Sequence, residues 1–233
     1  MKECIILAGG LGTRLRGVVS DVPKCMAQVA GKPFLSYLLS WCEKQQFEKI
    51  ILSVGYLSEV IVDWVSSNNY PFNIEFVKEN EPLGTGGAIR LAMASVTGLN
   101  AVVVNGDTFF DVDIKKLYTF HLQKEAKISL ALKPMTDFDR YGSVVLDKND
   151  RIISFEEKRL CKSGLINGGV YLVDKDVLLS EDLPVKFSFE KEILESKVSI
   201  LPIYGNIQDS YFIDIGIPED YRKANLDFIK FNL

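Results

Sequence analysis

Short apolar runs alternating with amphipathic stretches predict an α/β protein, a Rossmann-like three-layer sandwich around a largely parallel, mixed central sheet. Two observations carry that expectation. Residues 2–8 form an Ile-rich run that ends in glycines, the pattern of a buried first strand followed by a ligand-facing loop. From there to about residue 105, strand-like and helix-like segments alternate strictly, an order that connects parallel strands through crossover helices.

The elements follow in order. Residues 32–46 place Phe34, Leu35, Leu38, Leu39, Trp41 and Cys42 at helical spacing, with Pro33 near the start. Residues 50–54 read as a second strand, and Ser58 is the expected cap of a helix over 59–66. Residues 73–77 read as a strand, 86–94 as a helix and 101–104 as another strand, with Asp111 and Asp113 in the turn and helix start beyond. After residue 127 the character changes. Residues 128–132, 143–146, 152–155 and 168–173 are strand-like with few helices between them, and are expected to extend the sheet and build a lid or second lobe. Residues 218–231 read as a closing helix. No repeat, linker or low-complexity tract interrupts the 233 residues, so a single domain spanning 1–233 is expected.

Composition removes several classes of function. Apolar residues make up 47% and charged residues 25%, ordinary values for a globular chain rather than a disordered one. The net charge of −4 provides no basic field for nucleic acid. No apolar run approaches the roughly 18 residues of a membrane span, and the opening residues do not read as a secretory signal. Cys4, Cys25, Cys42 and Cys161 show no CxxC spacing, which points to reduced thiols in a cytoplasmic setting and away from structural zinc. Cys25, beside Lys24, reads as a small buried apolar residue rather than a reactive thiol. With His121 as the one histidine, catalysis has to rest on carboxylates, Lys, Arg and backbone.

The most informative stretch is Leu7-Ala8-Gly9-Gly10-Leu11-Gly12-Thr13-Arg14-Leu15. Glycines leaving a buried strand let backbone N–H groups approach phosphate oxygens without interference from Cβ atoms. A dinucleotide fingerprint from Gly10 would need glycine at position 15, where Leu15 stands. A P-loop from Gly12 reaches Gly17, but Val18-Val19 replace the required Lys-Ser/Thr. A polyphosphate cradle holding Arg14 remains, beside the plainer reading of a tight turn with a solvated arginine.

The whole string resembles the LAGGxGTRL signature of sugar nucleotidyltransferases, with Pro23-Lys24 at that family's spacing. Further matches follow in the family's order as far as residue 221. Glu81 to Ala88 is similar to its base-recognition loop and Asn105-Gly106-Asp107 to its metal motif. Phe155-Glu156-Glu157-Lys158 and Asn167-Gly168-Gly169-Val170-Tyr171 are similar to its sugar-phosphate segments, and the run from Asp214 to Tyr221 to its second metal segment. Arg16-Gly17 and Ala27-Gln28 depart from the family's usual prolines. No C-terminal hexapeptide repeat is seen, so acyltransferase bifunctionality is not expected.

The resemblance implies a nucleotidyltransferase fold of the GT-A-like type, with a nucleotide-binding half over 1–126 and a sugar-phosphate-binding half over 127–233. It implies Mg²⁺ held by Asp107 and Asp214, with Arg14 and Lys24 as the catalytic cations. Leu7, Ala8, Gly9, Gly10, Gly12, Thr13, Glu79, Glu81, Gly84, Thr85 and Gly106 are the expected nucleotide-binding residues. Gly142, Glu157, Lys158, Asn167 and Gly168 are the expected sugar-phosphate-binding residues, although turn geometry explains the glycines equally well. Small-molecule substrates are the expected partners, with no nucleic acid and no membrane; a homodimer stays open.

Nucleotide choice can be argued from Glu79, with Glu81 as the alternative reader. A carboxylate accepts from the adjacent N1–H and N2–H donors of guanine, whereas a pyrimidine imide offers it one donor flanked by carbonyls. GTP is therefore favoured. Within the family, the segments around Pro23-Lys24-Cys25-Met26, Ser53 to Leu57 and Val104 to Asp111 look most like the branch that guanylylates manno-heptose 1-phosphates. Mannose or glucose 1-phosphate with GTP, UTP or dTTP is the runner-up. An inert nucleotide-sugar sensor on the same fold is the alternative outside enzymology.

Overall fold

The computed structural model describes residues 2–10, 22–179 and 183–231. Strand β1 (Glu3–Leu7) leads to the short hairpin β2 (Gln28–Val29) and β3 (Lys32–Pro33). Helix α1 (Phe34–Lys44), β4 (Lys49–Val54), α2 (Ser58–Ser66), β5 (Asn73–Lys78), α3 (Gly84–Met93) and β6 (Asn100–Asn105) complete the alternating half. Then come β7 (Thr108–Phe110), α4 (Ile114–Gln123), β8 (Ile128–Phe138), β9 (Val144–Leu146), β10 (Ile152–Phe155) and β11 (Cys161–Asp174). A π-helical segment (Phe189–Glu195), β12 (Ile203–Ile207), β13 (Phe212–Asp214) and α5 (Pro218–Phe231) finish the chain.

Seven strands form the main sheet in the order β12-β8-β11-β6-β1-β4-β5. The β6-β1-β4-β5 portion is parallel, β11 runs antiparallel to both β6 and β8, and β12 returns parallel to β8. The expected mixed, largely parallel sheet is therefore present. Period-two alternation in β1 divides the core. Cys4 and Ile6 pack with Phe34, Leu38, Ile61, Leu117 and Phe228 from α1, α2, α4 and α5. Ile5 faces the other layer, with Ile89 and Met93 of α3 and with Phe189 and Ile193. Among the described residues no helix is long and apolar enough to cross a membrane.

Two local expectations change. Ser58 is the first residue of α2 rather than its cap; left-handed Leu57 precedes it, and the Ser58 hydroxyl donates to Glu59 instead of capping. Two strands after residue 127, β8 and β11, are much longer than their apolar runs. β8 and β11 continue through Pro134, Gly164 and the Gly168-Gly169 irregularity, because the ladder resumes after a register shift between Asn167 and Tyr171. Asp113 stands at the start of α4 as expected and caps it, accepting from the Lys116 N–H at 3.0 Å, and Asp111 pairs with Lys44.

Candidate active site

Parallel strands β1 and β6 end side by side, and a cleft of about 480 Å³ opens beyond their carboxyl ends. Leu7, Ala8, Gly9 and Gly10 form one wall and Asn105, Gly106 and Asp107 the floor. The expected residues Gly12, Thr13 and Arg14 lie outside the described residues. The two adjacent glycines serve different ends. A Cβ on Gly9 would stand 2.6 Å from the Glu79 carboxylate, whereas one on Gly10 would meet nothing within 4 Å. Gly9 thus makes room for a protein side chain, and Gly10 leaves its backbone open to the cleft.

The opposite wall is the start of α3. Glu79 accepts the Leu83 N–H at 3.0 Å and lies 3.4 Å from the Ser53 hydroxyl, which folds the 79–83 loop over the cleft. Glu81 is exposed and outside the wall, so of the two glutamates Glu79 faces the cavity. Gly84 and Thr85 also line it, carrying helix N-terminal N–H groups that have no partner within the helix. The Thr85 side chain turns elsewhere. Its hydroxyl donates to Glu190 at 2.7 Å and accepts the Phe189 N–H at 2.9 Å.

At the mouth of the cleft, β7 and β13 pair antiparallel, with Asp214 opposite Thr108, and the Ile215 N–H bonds to the Asp107 carbonyl. That ladder brings two carboxylates from distant parts of the chain together. Lys24, on a single turn (Lys24–Met26), places its ammonium 2.5 Å from Asp107 Oδ2 and 3.7 Å from Asp214 Oδ1. Burial pushes the Asp214 carboxyl above its usual range, Asp107 adds to the rise, and Lys24 opposes it. An acidic pair held around one cation fits Mg²⁺, which takes one or two carboxylates and completes its shell with water and substrate phosphate. Burial, with the Asp107 charge, pushes the Cys25 thiol up to about 12, so it stays protonated.

A second, larger cleft of about 850 Å³ shares Asn105 and Gly216 with the first, with Asp107 in the wall of the first and Asp214 in that of the second. Gly142, Glu157, Lys158, Asn167 and Gly168 all line it, with Glu157 and Lys158 on the exposed rim. The bareness of the glycines, however, is used by the protein itself. A Cβ on Gly142 would stand 2.5 Å from the Glu156 carbonyl, and one on Gly168 would enter the Phe110 ring. Asn167 is also engaged internally: its amide donates to the Tyr171 hydroxyl at 2.9 Å and accepts the Gly169 N–H at 3.0 Å. Several wall residues escaped the sequence reading, among them Arg140, Tyr141, Glu190 and Glu195. Glu190 follows the Ser188 cap of the π-helical segment, so in sequence it looks like an ordinary first-turn acid.

The family model described as Nucleotidyl transferase matches residues 3–230. The chain is 48% identical over 222 residues to a D-glycero-alpha-D-manno-heptose 1-phosphate guanylyltransferase of Aneurinibacillus thermoaerophilus, covering 95% of this chain and 96% of that one. It is 49% identical over 219 residues to the protein of the same description from Campylobacter jejuni, covering 94% and 96%. Among solved structures it is similar to HddC from Yersinia pseudotuberculosis complexed with GMP-PN, with a TM-score of 0.88, 40% identity, and coverage of 98% and 100%. The paired clefts and the cation held between two aspartates thus occur in a chain that, along almost its whole length, belongs to the nucleotidyl transferase family.

Proposed function

We propose that this protein transfers a guanylyl group from GTP to D-glycero-α-D-manno-heptose 1-phosphate, releasing pyrophosphate and forming GDP-heptose. The observation that carries the reaction type is the junction of two clefts at Asp107, Lys24 and Asp214. One cleft is sized and lined for a nucleotide and the other for a polar sugar phosphate. The choice of GTP and heptose is supported by the 48–49% identity to relatives with that description.

In this reading a phosphate oxygen of the sugar 1-phosphate attacks the α-phosphorus of GTP, and the bond to the pyrophosphate oxygen breaks in line. Little covalent work falls to the protein, so positioning and charge dominate. Lys24 neutralises the α-phosphate region, Arg14 holds the β- and γ-phosphates, and Lys158 on the rim holds the sugar phosphate. Asp107 and Asp214 hold Mg²⁺, which when bound supplies charge neutralisation at the phosphoryl oxygens. Glu79 accepts the guanine N1–H and N2–H with lone pairs not taken by Leu83. The chain works as one domain, with residues 1–126 carrying the nucleotide and 127–233 the sugar phosphate. Gly216 crosses over to line both clefts. The four free cysteines, three of them buried, suit a reducing cytoplasm.

A matrix of four triphosphates against heptose, mannose and glucose 1-phosphates, read by product mass, tests the assignment. GDP-heptose as the dominant product is expected. A dominant UDP- or dTDP-sugar overturns the guanylyl assignment, and binding without turnover of any pair would point to a sensor.

A further inference from the structure

Glu190 has no place in the chemistry above, yet it stands in the wall of the larger cleft, on the π-helical segment. Both of its hydrogen bonds within the protein land on one oxygen. Oε2 accepts the Thr85 hydroxyl at 2.7 Å and the Ser188 hydroxyl at 3.0 Å, whereas Oε1 has no partner among the described residues. The side chain is half-buried, so its free oxygen is held in a fixed place with reduced solvent competition.

The segment that carries it is fastened to the nucleotide wall by backbone as well. The Phe187 N–H bonds to the Leu83 carbonyl at 3.0 Å, and the Gly86 N–H returns to the Phe187 carbonyl at 3.0 Å. The Phe187 ring fills the place of the side chain that Gly86 lacks, and Phe189 packs edge-on against Tyr171, another wall residue, at 5.3 Å. Leu83 is itself held by Glu79. A continuous hydrogen-bonded path therefore runs from the base end of one cleft to a carboxylate in the other.

We infer that Glu190 is a specificity-determining residue that accepts hydroxyl protons of the sugar, and that Thr85 is the positioning residue that aims it. The inference rests on the reading of this cleft as the sugar-phosphate site. A carboxylate oxygen with two open lone-pair directions suits a pair of neighbouring hydroxyls, which a polyhydroxylated sugar supplies and a phosphate cannot. Thr85 thus contributes its backbone to the nucleotide wall and its hydroxyl to the sugar wall.

The test is a comparison of wild type, Glu190→Gln, Thr85→Val and Thr85→Ser, run with whichever sugar 1-phosphate wild type turns over best and with its singly deoxygenated analogues. Glu190→Gln keeps a carbonyl for Thr85 but presents a donor to the sugar. It is expected to lower kcat/KM for the sugar phosphate by about 10- to 100-fold, with KM for GTP within about threefold of wild type. For one deoxy analogue the penalty seen in wild type should vanish in Glu190→Gln. Thr85→Val should raise KM for the sugar phosphate and Thr85→Ser should restore it, with thermal melts confirming that each variant is folded. An unchanged sugar kcat/KM in folded Glu190→Gln, or equal deoxy penalties in wild type and variant, overturns the inference and leaves the transferase reading intact. Absence of turnover by wild type with every sugar phosphate overturns that reading first, and the inference with it.

Discussion

Replacing Gly84 by alanine tests whether the close seating of residue 187 on helix α3 is what shapes the nucleotide wall. Gly84 has φ +72°, in the left-handed region, and a Cβ placed on it would stand 2.5 Å from the Phe187 carbonyl oxygen and 3.1 Å from its carbon. The left-handed conformation costs a residue with a side chain roughly 1–2 kcal/mol. The clash adds more, because the obstacle is backbone. Bringing 2.5 Å out to an ordinary contact means parting the two segments by about 1 Å, and forced overpacking of that kind costs about 1–3 kcal/mol. The sum, about 2–5 kcal/mol, corresponds to a Tm lowered by about 4–20 °C in a domain of this size. Because the parted segments carry Glu79's partner Leu83 on one side and Glu190 on the other, KM for both substrates should rise together. Differential scanning calorimetry with two-substrate kinetics reads both effects. Gly10→Ala, which meets nothing within 4 Å, should keep the wild-type Tm and change only the GTP terms. A Gly84→Ala protein melting within a degree of wild type, with both KM values unmoved, would refute the reasoning.

Glu79→Gln should cost GTP about 10- to 100-fold in kcat/KM while costing UTP or dTTP little, because an amide presents a donor where guanine also donates; an unchanged GTP:UTP ratio moves base reading elsewhere. Excess chelator should abolish turnover, and Asp107→Asn should lower kcat far more than it lowers Tm. Full activity in chelator would remove the two aspartates from the metal role. Lys24→Ala should reduce kcat by about 10²-fold or more, and an effect confined to KM for the sugar phosphate would assign Lys24 to the wrong substrate. His121 is buried between Ser129 and Asp174, and burial pushes its imidazole below 6.5 against the pull of Asp174. The unfolded chain therefore takes up that proton at higher pH than the folded one. Stability from this site is full above 6.5 and declines as pH falls through the depressed value. Urea melts at pH 7.5 and 5.5 should show a loss that His121→Gln reduces, and an equal loss in the variant would contradict the assignment.

What the sequence disclosed was mostly local. Gly9 and Gly10 after β1, the helix start at Asp113 and the helix over Pro218–Phe231 each follow from a few adjacent residues, and the structure has them in place. Strands β7, β12 and β13 are three to five residues long and become strands only by pairing with distant partners, so no periodicity announced them. Asp214 illustrates the limit. The sequence joins it to Asp107 only through family resemblance, whereas the β7–β13 ladder sets the two side by side. Glu190 lay beyond reach altogether, since its significance comes from Thr85, 105 positions away. At Gly142 and Gly168 the sequence shows where a side chain is missing, and only packing shows which protein atoms lie beside the bare backbone.

The three-residue ladder between β7 and β13 also has a consequence for how the site can be lost. The Rossmann-like core of β1, β4, β5 and β6 has all its strands by residue 105, and Asp107 emerges just after it. Its companion Asp214 comes more than a hundred positions later in the chain, and it is kept in place by a strand of three residues and the helix that follows. A truncated or incompletely docked chain can therefore own a finished sheet and still lack a two-carboxylate site. Opening the β7–β13 ladder would thus separate the two carboxylates without removing a single strand of the seven-stranded sheet.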